Sequence, residues 1–469
     1  MNPLLWAALA ALLFPSVLPA QDFSHDLSLS GIGSPAAANP FGLAYEPTTE
    51  RLYVAVAGTF GDPNNRVAVF DAGTDTLLCT LQVGLYPEDI AFSYDAAGNL
   101  AWGAVTNSSS GSVSVWDAAD SVTAEIGLPD PFGFGTCFPF GIAAGGPGFL
   151  VSTVDGTGDI HAVNLASMTH DPAAGASVPW ASAGRLKMAS GSLWVPTTRY
   201  TASWEGSEGG LAVIPAGSSA PSTDIACVVQ DGLWIYPGGQ EVEILSDGRA
   251  ILGGHAFAGQ IFIFDPDGSL ERAIRVPDAG DSHGLAVSPD ETLLAVCDLA
   301  GNRLVLVDLV AEEQLSVVGL GGVGRGYSMP NDAVFAHDKL YVSCQGGQEV
   351  AVFNNLPTAG ADPGFHGQLI LSSTTPGLAD PITATVASPD GGMAALLTAL
   401  ENIPGVYAGV PIRIGPSPVL RAWGPGSCSR TFTLPPAATW RGRAFHLQGG
   451  VRDSAGNWRT TAPKTVILQ

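Results

Sequence analysis

Charge is scarce in this chain, and positive charge scarcer still. Only 13% of the 469 residues are charged, and 19 basic residues face 43 acidic ones, for a net charge of −24 at pH 7. A body so acidic repels nucleic acid and anionic membrane. Cysteine is sparse too: six residues and no Cys-x-x-Cys, which excludes zinc ribbons and thioredoxin-type motifs. No segment keeps the i, i+3, i+4, i+7 apolar spacing of an amphipathic helix, so helical solenoids are excluded. His-Glu-x-x-His and Ser-x-x-Lys are both missing, which leaves zinc proteases and Ser-Lys hydrolases without sequence support. Beyond the first 20 residues no run is long and apolar enough to span a bilayer.

Turn formers and short apolar runs are plentiful, with 59 Gly and 35 Pro. The clearest unit is Asp281 to Leu309. Leu285 to Val287 is an apolar run, Ser288-Pro289-Asp290-Glu291 a turn, Leu293 to Val296 a second run. Gly301-Asn302 turns the chain again into Leu304 to Val307. Runs this short with turns this close make an antiparallel meander. Looser copies start near residues 43, 90, 142, 187, 243 and 333. A period of about 40 to 50 residues with four strands each is the mark of a propeller blade. The expected fold is therefore all-β, a seven-bladed β-propeller followed by a small β-sandwich.

The expected boundaries are a signal peptide at 1–20, the propeller at 21–355, a linker at 356–366 and the sandwich at 367–469. Leu4 to Ala20 is apolar, broken by Pro15 and Pro19, and ends on a small residue, although no Lys or Arg precedes it. An exported protein with no transmembrane anchor is expected, periplasmic or extracellular. His25 to Ser30 alternates like an outer strand with no blade of its own, and is expected to close the last blade. Blade four, roughly 186–229, is the most degenerate, with Pro196 to Gly210 expected as a long loop. Gly367 to Gln469 holds eight basic and four acidic residues, so this segment is +4 and the first 366 residues carry −28. The basic module is expected to dock on an anionic surface or on the acidic propeller itself.

The repeat resembles the YVTN-type β-propeller repeats of bacteria. Pro40-Phe41-Gly42-Leu43-Ala44 with Leu52-Tyr53-Val54, and Gly284 to Asp290 (GLAVSPD), carry the likeness. Leu340-Tyr341-Val342 and Val67 to Asp71 add to it. The resemblance implies the fold and covers roughly residues 23–355. It implies function only broadly, since propellers serve as binders, scaffolds and enzymes alike. No catalytic residue is carried over, because the repeat motif is structural.

Equivalent positions of all blades converge at one mouth of a propeller channel. There the sequence places Glu88, Asp89, Glu241, Asp281, His283, Asn331 and Asp332 as candidate ligand-binding groups, with Phe41, Phe140 and Arg185 alongside. Asp281, Asp298, Asn331 and Asp332 are candidate oxygen ligands for Ca²⁺. His255 or His283 is a candidate general base beside such an ion. The alternative is that these groups cap turns and solvate an acidic rim. Cys297 and Cys344, at the ends of neighbouring second strands, are the pair expected to bond if a disulfide forms; otherwise they are buried thiols. The functional expectation is an exported binding or scaffold protein that meets an unknown protein or small-molecule ligand at the mouth. The rival is a Ca²⁺-assisted, lactonase-like hydrolase.

Overall fold

In the computed structural model the described residues are 22–354, apart from breaks at 34–37, 179–180, 201–205, 232–237, 256, 258 and 321–328. Further on, the backbone of strands between 368 and 467 is described. Residues 1–20 and the linker lie outside this set. Every described element is a strand, and none of the described residues is helical.

The turns are built by short polar side chains, as the repeat demands. The Ser288 hydroxyl accepts the Leu293 N–H at 2.9 Å and donates to Asp290 at 2.6 Å, which holds the Ser-Pro-Asp-Glu corner shut. Asp95 accepts the N–H groups of Ala97 and Asn99, and Gly98 supplies the positive φ that closes the hairpin.

These turns fold the chain into seven sheets arranged as blades. Their innermost strands are Pro40–Glu46, Pro87–Tyr94, Pro139–Gly145, Ala181–Ala183 with Lys187–Ala189, Gly238–Ile244, Ser282–Val287 and Pro330–Ala336. The propeller unit spans Gln21–Ala359. Asp22–Ser28 pairs antiparallel with Glu349–Asn354, Leu27 opposite Val350. The N-terminal strand thus completes blade seven, as expected. The closure is reinforced between blades: Asp75 accepts the Tyr341 hydroxyl at 2.6 Å and the Lys339 ammonium at 2.8 Å.

The apolar core lies between the blades. One cluster, with Leu52, Val54, Tyr341 and Val352, joins blades seven and one; another, with Tyr53, Val69, Val105 and Trp116, joins one and two. Second strands such as Arg51–Thr59 are buried on both faces, while outermost strands such as Thr76–Gln82 stay largely in solvent.

Blade four departs from expectation. Pro196 to Tyr200 and Gly206 to Gly210 are strand rather than loop. Ser192–Tyr200 pairs with Gly206–Pro215, Pro196 opposite Leu211 and Tyr200 opposite Ser207, in strands as long as Arg51–Thr59 and Asp62–Asp71 of blade one. Its inner strand is interrupted at Gly184–Leu186, where Arg185 forms a parallel bridge with Glu241 of blade five.

Past residue 360 the strands belong to a separate unit. They pair into a three-stranded sheet, a five-stranded sheet and a two-stranded ribbon. The packing that would make them a sandwich lies outside the described residues.

Candidate functional site at the channel mouth

Each innermost strand begins with two residues at the channel mouth. The strand registers place the first of each pair as Phe41, Glu88, Phe140, Gly184, Gln240, His283 and Asn331. The second is Gly42, Asp89, Gly141, Arg185, Glu241, Gly284 or Asp332. Acids and glycines share this second ring, and the contacts show why. Asp332 accepts the Leu43 N–H of the next blade at 2.7 Å, Asp89 that of Ile142 at 2.9 Å, and Glu241 that of Leu285 at 2.8 Å. Each receiving blade carries glycine in the ring. A Cβ on Gly42 would stand 2.0 Å from the Glu88 carbonyl oxygen, and one on Gly284 2.4 Å from that of Asn331. An acid therefore latches one blade to the next, and the glycine lets that next blade close on its own successor.

Hydroxyls complete the latch. Thr106, Ser152 and Ser343 each accept an N–H of their own inner strand, at 3.0, 2.8 and 3.0 Å. They donate to a carbonyl of the following blade at 2.7, 2.7 and 2.6 Å. Cys297, opposite Gly284, holds this position in blade six. Cys344, opposite Pro330, is one residue out of step with it, because Ser343 holds the equivalent place. The single-residue offset turns the side chains to opposite faces of their strands. Both cysteines are buried thiols.

Arg185 ties the rings across the channel. Its guanidinium bonds Glu241 at 3.0 Å and the Asn331 side chain at 2.7 Å, and lies 3.4 Å from Asp332. It also lies over the rings of Phe41 and Phe140, 5.7 and 5.9 Å from their centroids. Burial works against its charge, but Asp332, Glu241 and Asp89 hold the proton in place. Burial pushes Asp89 up to about 6 against the pull of Arg185. Glu88 rises well above the carboxylate range, through burial and the neighbouring Asp89, and its Oε2 has no hydrogen-bond partner.

The remaining candidates form one edge of the mouth. His255 Nδ1 is hydrogen-bonded to Asp281, and the His255 ring is part exposed. This bond raises the imidazole pKa against the effect of burial. His283 is buried, and burial with Arg185 and His255 lowers it to about 3, so it is neutral. Its Nδ1 donates to the Asn331 carbonyl at 3.3 Å. Asp298 is taken up by Arg303 at 2.7 and 2.9 Å and by the Asp281 N–H at 3.1 Å.

These contacts bear on calcium. Asp332 and Asp298 already accept from N–H groups, Asp281 from an imidazole, and Asn331 from a guanidinium. The set does not fit a cation that needs 6–8 free oxygens. Among the described residues no group of three or more His, Cys, Asp or Glu side chains is placed to hold a metal ion.

Sequence reasoning missed the exposed groups at this end of the molecule. Phe60, Leu85, Phe132, Phe134 and Val154 are the large apolar side chains exposed there among the described residues. All five come from mouth-side turns and connections of blades one to three. Phe60 stacks on Tyr86 with centroids 4.3 Å apart, and Tyr86, Phe41, His283 and His255 follow edge to face at 6.1, 6.3 and 5.9 Å. Phe132 and Phe134 are held out by Asp130, which accepts the N–H groups of Phe132, Gly133 and Gly135. The available signal was Phe132-Gly133-Phe134-Gly135, two aromatics set among glycines in a connection with no strand pattern. Trp194 is core, and Trp204 and Trp234 lie outside the described residues.

No family model matches the chain. No curated protein matches it. Solved structures do. Hydrazine synthase of Kuenenia stuttgartiensis aligns with a TM-score of 0.53 at 15% identity, covering 68% of this chain and 96% of that one. The β-propeller domain of Myceliophteria thermophila Cps50 (Swd1) aligns at 0.49 and 10%, covering 68% and 97%. At such identity the first likeness speaks for the fold alone. The fold itself is an all-β, seven-bladed propeller, of the class that WD40 repeats also build.

Proposed function

We propose that this is an exported binding or scaffold protein with YVTN-type repeats, whose mouth-side rim on blades one to three takes up an uncharged, flat-faced ligand or the apolar patch of a partner. One observation carries the reading. The acids Asp89, Glu241 and Asp332 at the channel mouth are consumed in holding blades together, whereas Phe60, Phe132 and Phe134 are left in water on one side of the same face. Exposed aromatics gathered on one rim mark interaction surfaces, and rings give large contact area at low entropic cost. Export is supported by the apolar N-terminal segment ending at Ala20.

The hydrolase alternative draws support from the His255–Asp281 pair alone, since an imidazole oriented by a carboxylate is a usable base. It lacks a fitting calcium set. A screen of neutral aromatic and saccharide fragments by ligand-observed NMR tests the binding reading. Fragments are expected to bind the wild-type protein and to be lost in a Phe60→Ala/Phe134→Ala variant that melts at the wild-type temperature. Equal binding by the variant would overturn it.

A further inference from the structure

Blade three carries a histidine pair that the channel does not use. His161 lies on the third strand, Asp159–Asn164, and His170 on the fourth, Thr169–Ser177. The register runs Ala162 opposite Asp171 and then Ile160 opposite Ala176. Pro172 to Gly175 therefore bulge out opposite His161 and bring the two rings together on a diagonal. His161 is nine-tenths buried; His170 is part exposed and open to solvent.

Three observations point the same way. His161 Nδ1 and His170 Nε2 face each other at 3.3 Å. That is a long hydrogen bond, past the usual range of about 2.7–3.2 Å. It equals the spacing of about 3.3 Å that two nitrogens take on one tetrahedral Zn²⁺ with bonds of about 2.0–2.1 Å. Secondly, His161 Nε2 is buried with no partner. A ring kept inside with one nitrogen orphaned carries a desolvation cost. Thirdly, the surroundings are acidic: Asp155 and Asp159 act electrostatically on His161, and Asp171 on His170. The Asp155 Oδ2 atom is itself buried without a partner.

We propose that His161 and His170 form a binding site for an imidazole-preferring divalent transition metal, zinc or copper, with the remaining positions filled by water or a small anion. The protein supplies two ligands, so the site is exchangeable and micromolar rather than a fixed structural centre. Burial, and the neighbouring imidazole in the case of His161, lower the pKa of both rings, so both are free of protons at neutral pH, as metal ligation requires.

The test is isothermal titration of the full-length, chelator-dialysed protein with zinc chloride at pH 7.5, alongside His170→Gln and His161→Gln. Wild type is expected to bind one zinc in the micromolar range. Each variant is expected to lose at least about tenfold in affinity, and His170→Gln, at a part-exposed position, keeps the fold. Zinc should also raise the wild-type melting temperature and leave that of His170→Gln unchanged. Absence of zinc binding by the wild type, or undiminished binding by folded His170→Gln, would overturn the proposal and leave the pair as a long hydrogen bond.

Discussion

Arg185 of blade four donates to the Asn331 side chain of blade seven at 2.7 Å, from one side of the ring to the other. The channel mouth is therefore braced across its width as well as around its rim. Replacing Arg185 by Met removes the cation but leaves Glu241 and Asp332 buried beside it. Removing one partner of a buried pair costs about 3–5 kcal/mol. Urea unfolding at pH 7 should show a loss of that order. A loss below about 1 kcal/mol would mean that the brace is incidental.

Glu88 gives a prediction with a definite sign. Its folded pKa is raised, so between the ordinary Glu value and the raised one the native state keeps a proton that the unfolded chain has released. Stability contributed by this group falls as pH rises above the ordinary Glu value. Glu88→Gln removes that cost. The variant should gain more stability at pH 7 than at pH 4, measured by thermal or urea melts.

Asp89 behaves alike within a narrower window. Raised to about 6 from 3.8, it makes stability fall between those pH values by on the order of 3 kcal/mol. In Asp89→Asn the side-chain oxygen can still accept the Ile142 N–H. The pH slope between about 4 and 6 should flatten in this variant relative to wild type.

The ring closes through Asp75, Lys339 and Tyr341. Tyr341→Phe removes hydroxyl bonds to Asp75 and to the Ala72 carbonyl at 2.6 and 2.9 Å. A loss of about 1–3 kcal/mol is expected. Deleting residues 22–28 should do more, since it bares the Glu349–Asn354 strand edge. That construction is expected to self-associate in analytical ultracentrifugation.

Calcium should be inert at the mouth. Because Asp281, Asp298, Asn331 and Asp332 already accept hydrogen bonds, calcium chloride at about 5 mM should leave the melting temperature unchanged. A clear rise would revive the metal-assisted reading.

Much of the fold was legible because it repeats. The Ser288-Pro289-Asp290 corner and the spacing of the apolar runs carry their meaning locally, and His25 to Ser30 stood out as a strand without a blade. The role of the acids was not legible. Asp89, Glu241 and Asp332 look in sequence like a ligand set, and only the distance from Asp332 to Leu43, 289 positions apart, reveals a latch. Blade four misled for a related reason. Arg199 and Tyr200 lie in a stretch with weak strand alternation, but pairing with Glu208 and Ser207 extends the hairpin through it. Phe132 and Phe134 were passed over because a short Gly-rich connection has no periodicity to read.

The central claim is that ligands meet the rim of blades one to three. It is tested most directly by photo-crosslinking a diazirine derivative of the tightest-binding fragment and mapping the adduct by mass spectrometry. The account predicts adducts in the peptides that contain Phe60, Leu85 and Phe132 to Phe134. Adducts confined to outer strands such as Thr76–Gln82, or to residues 367–469, would contradict it.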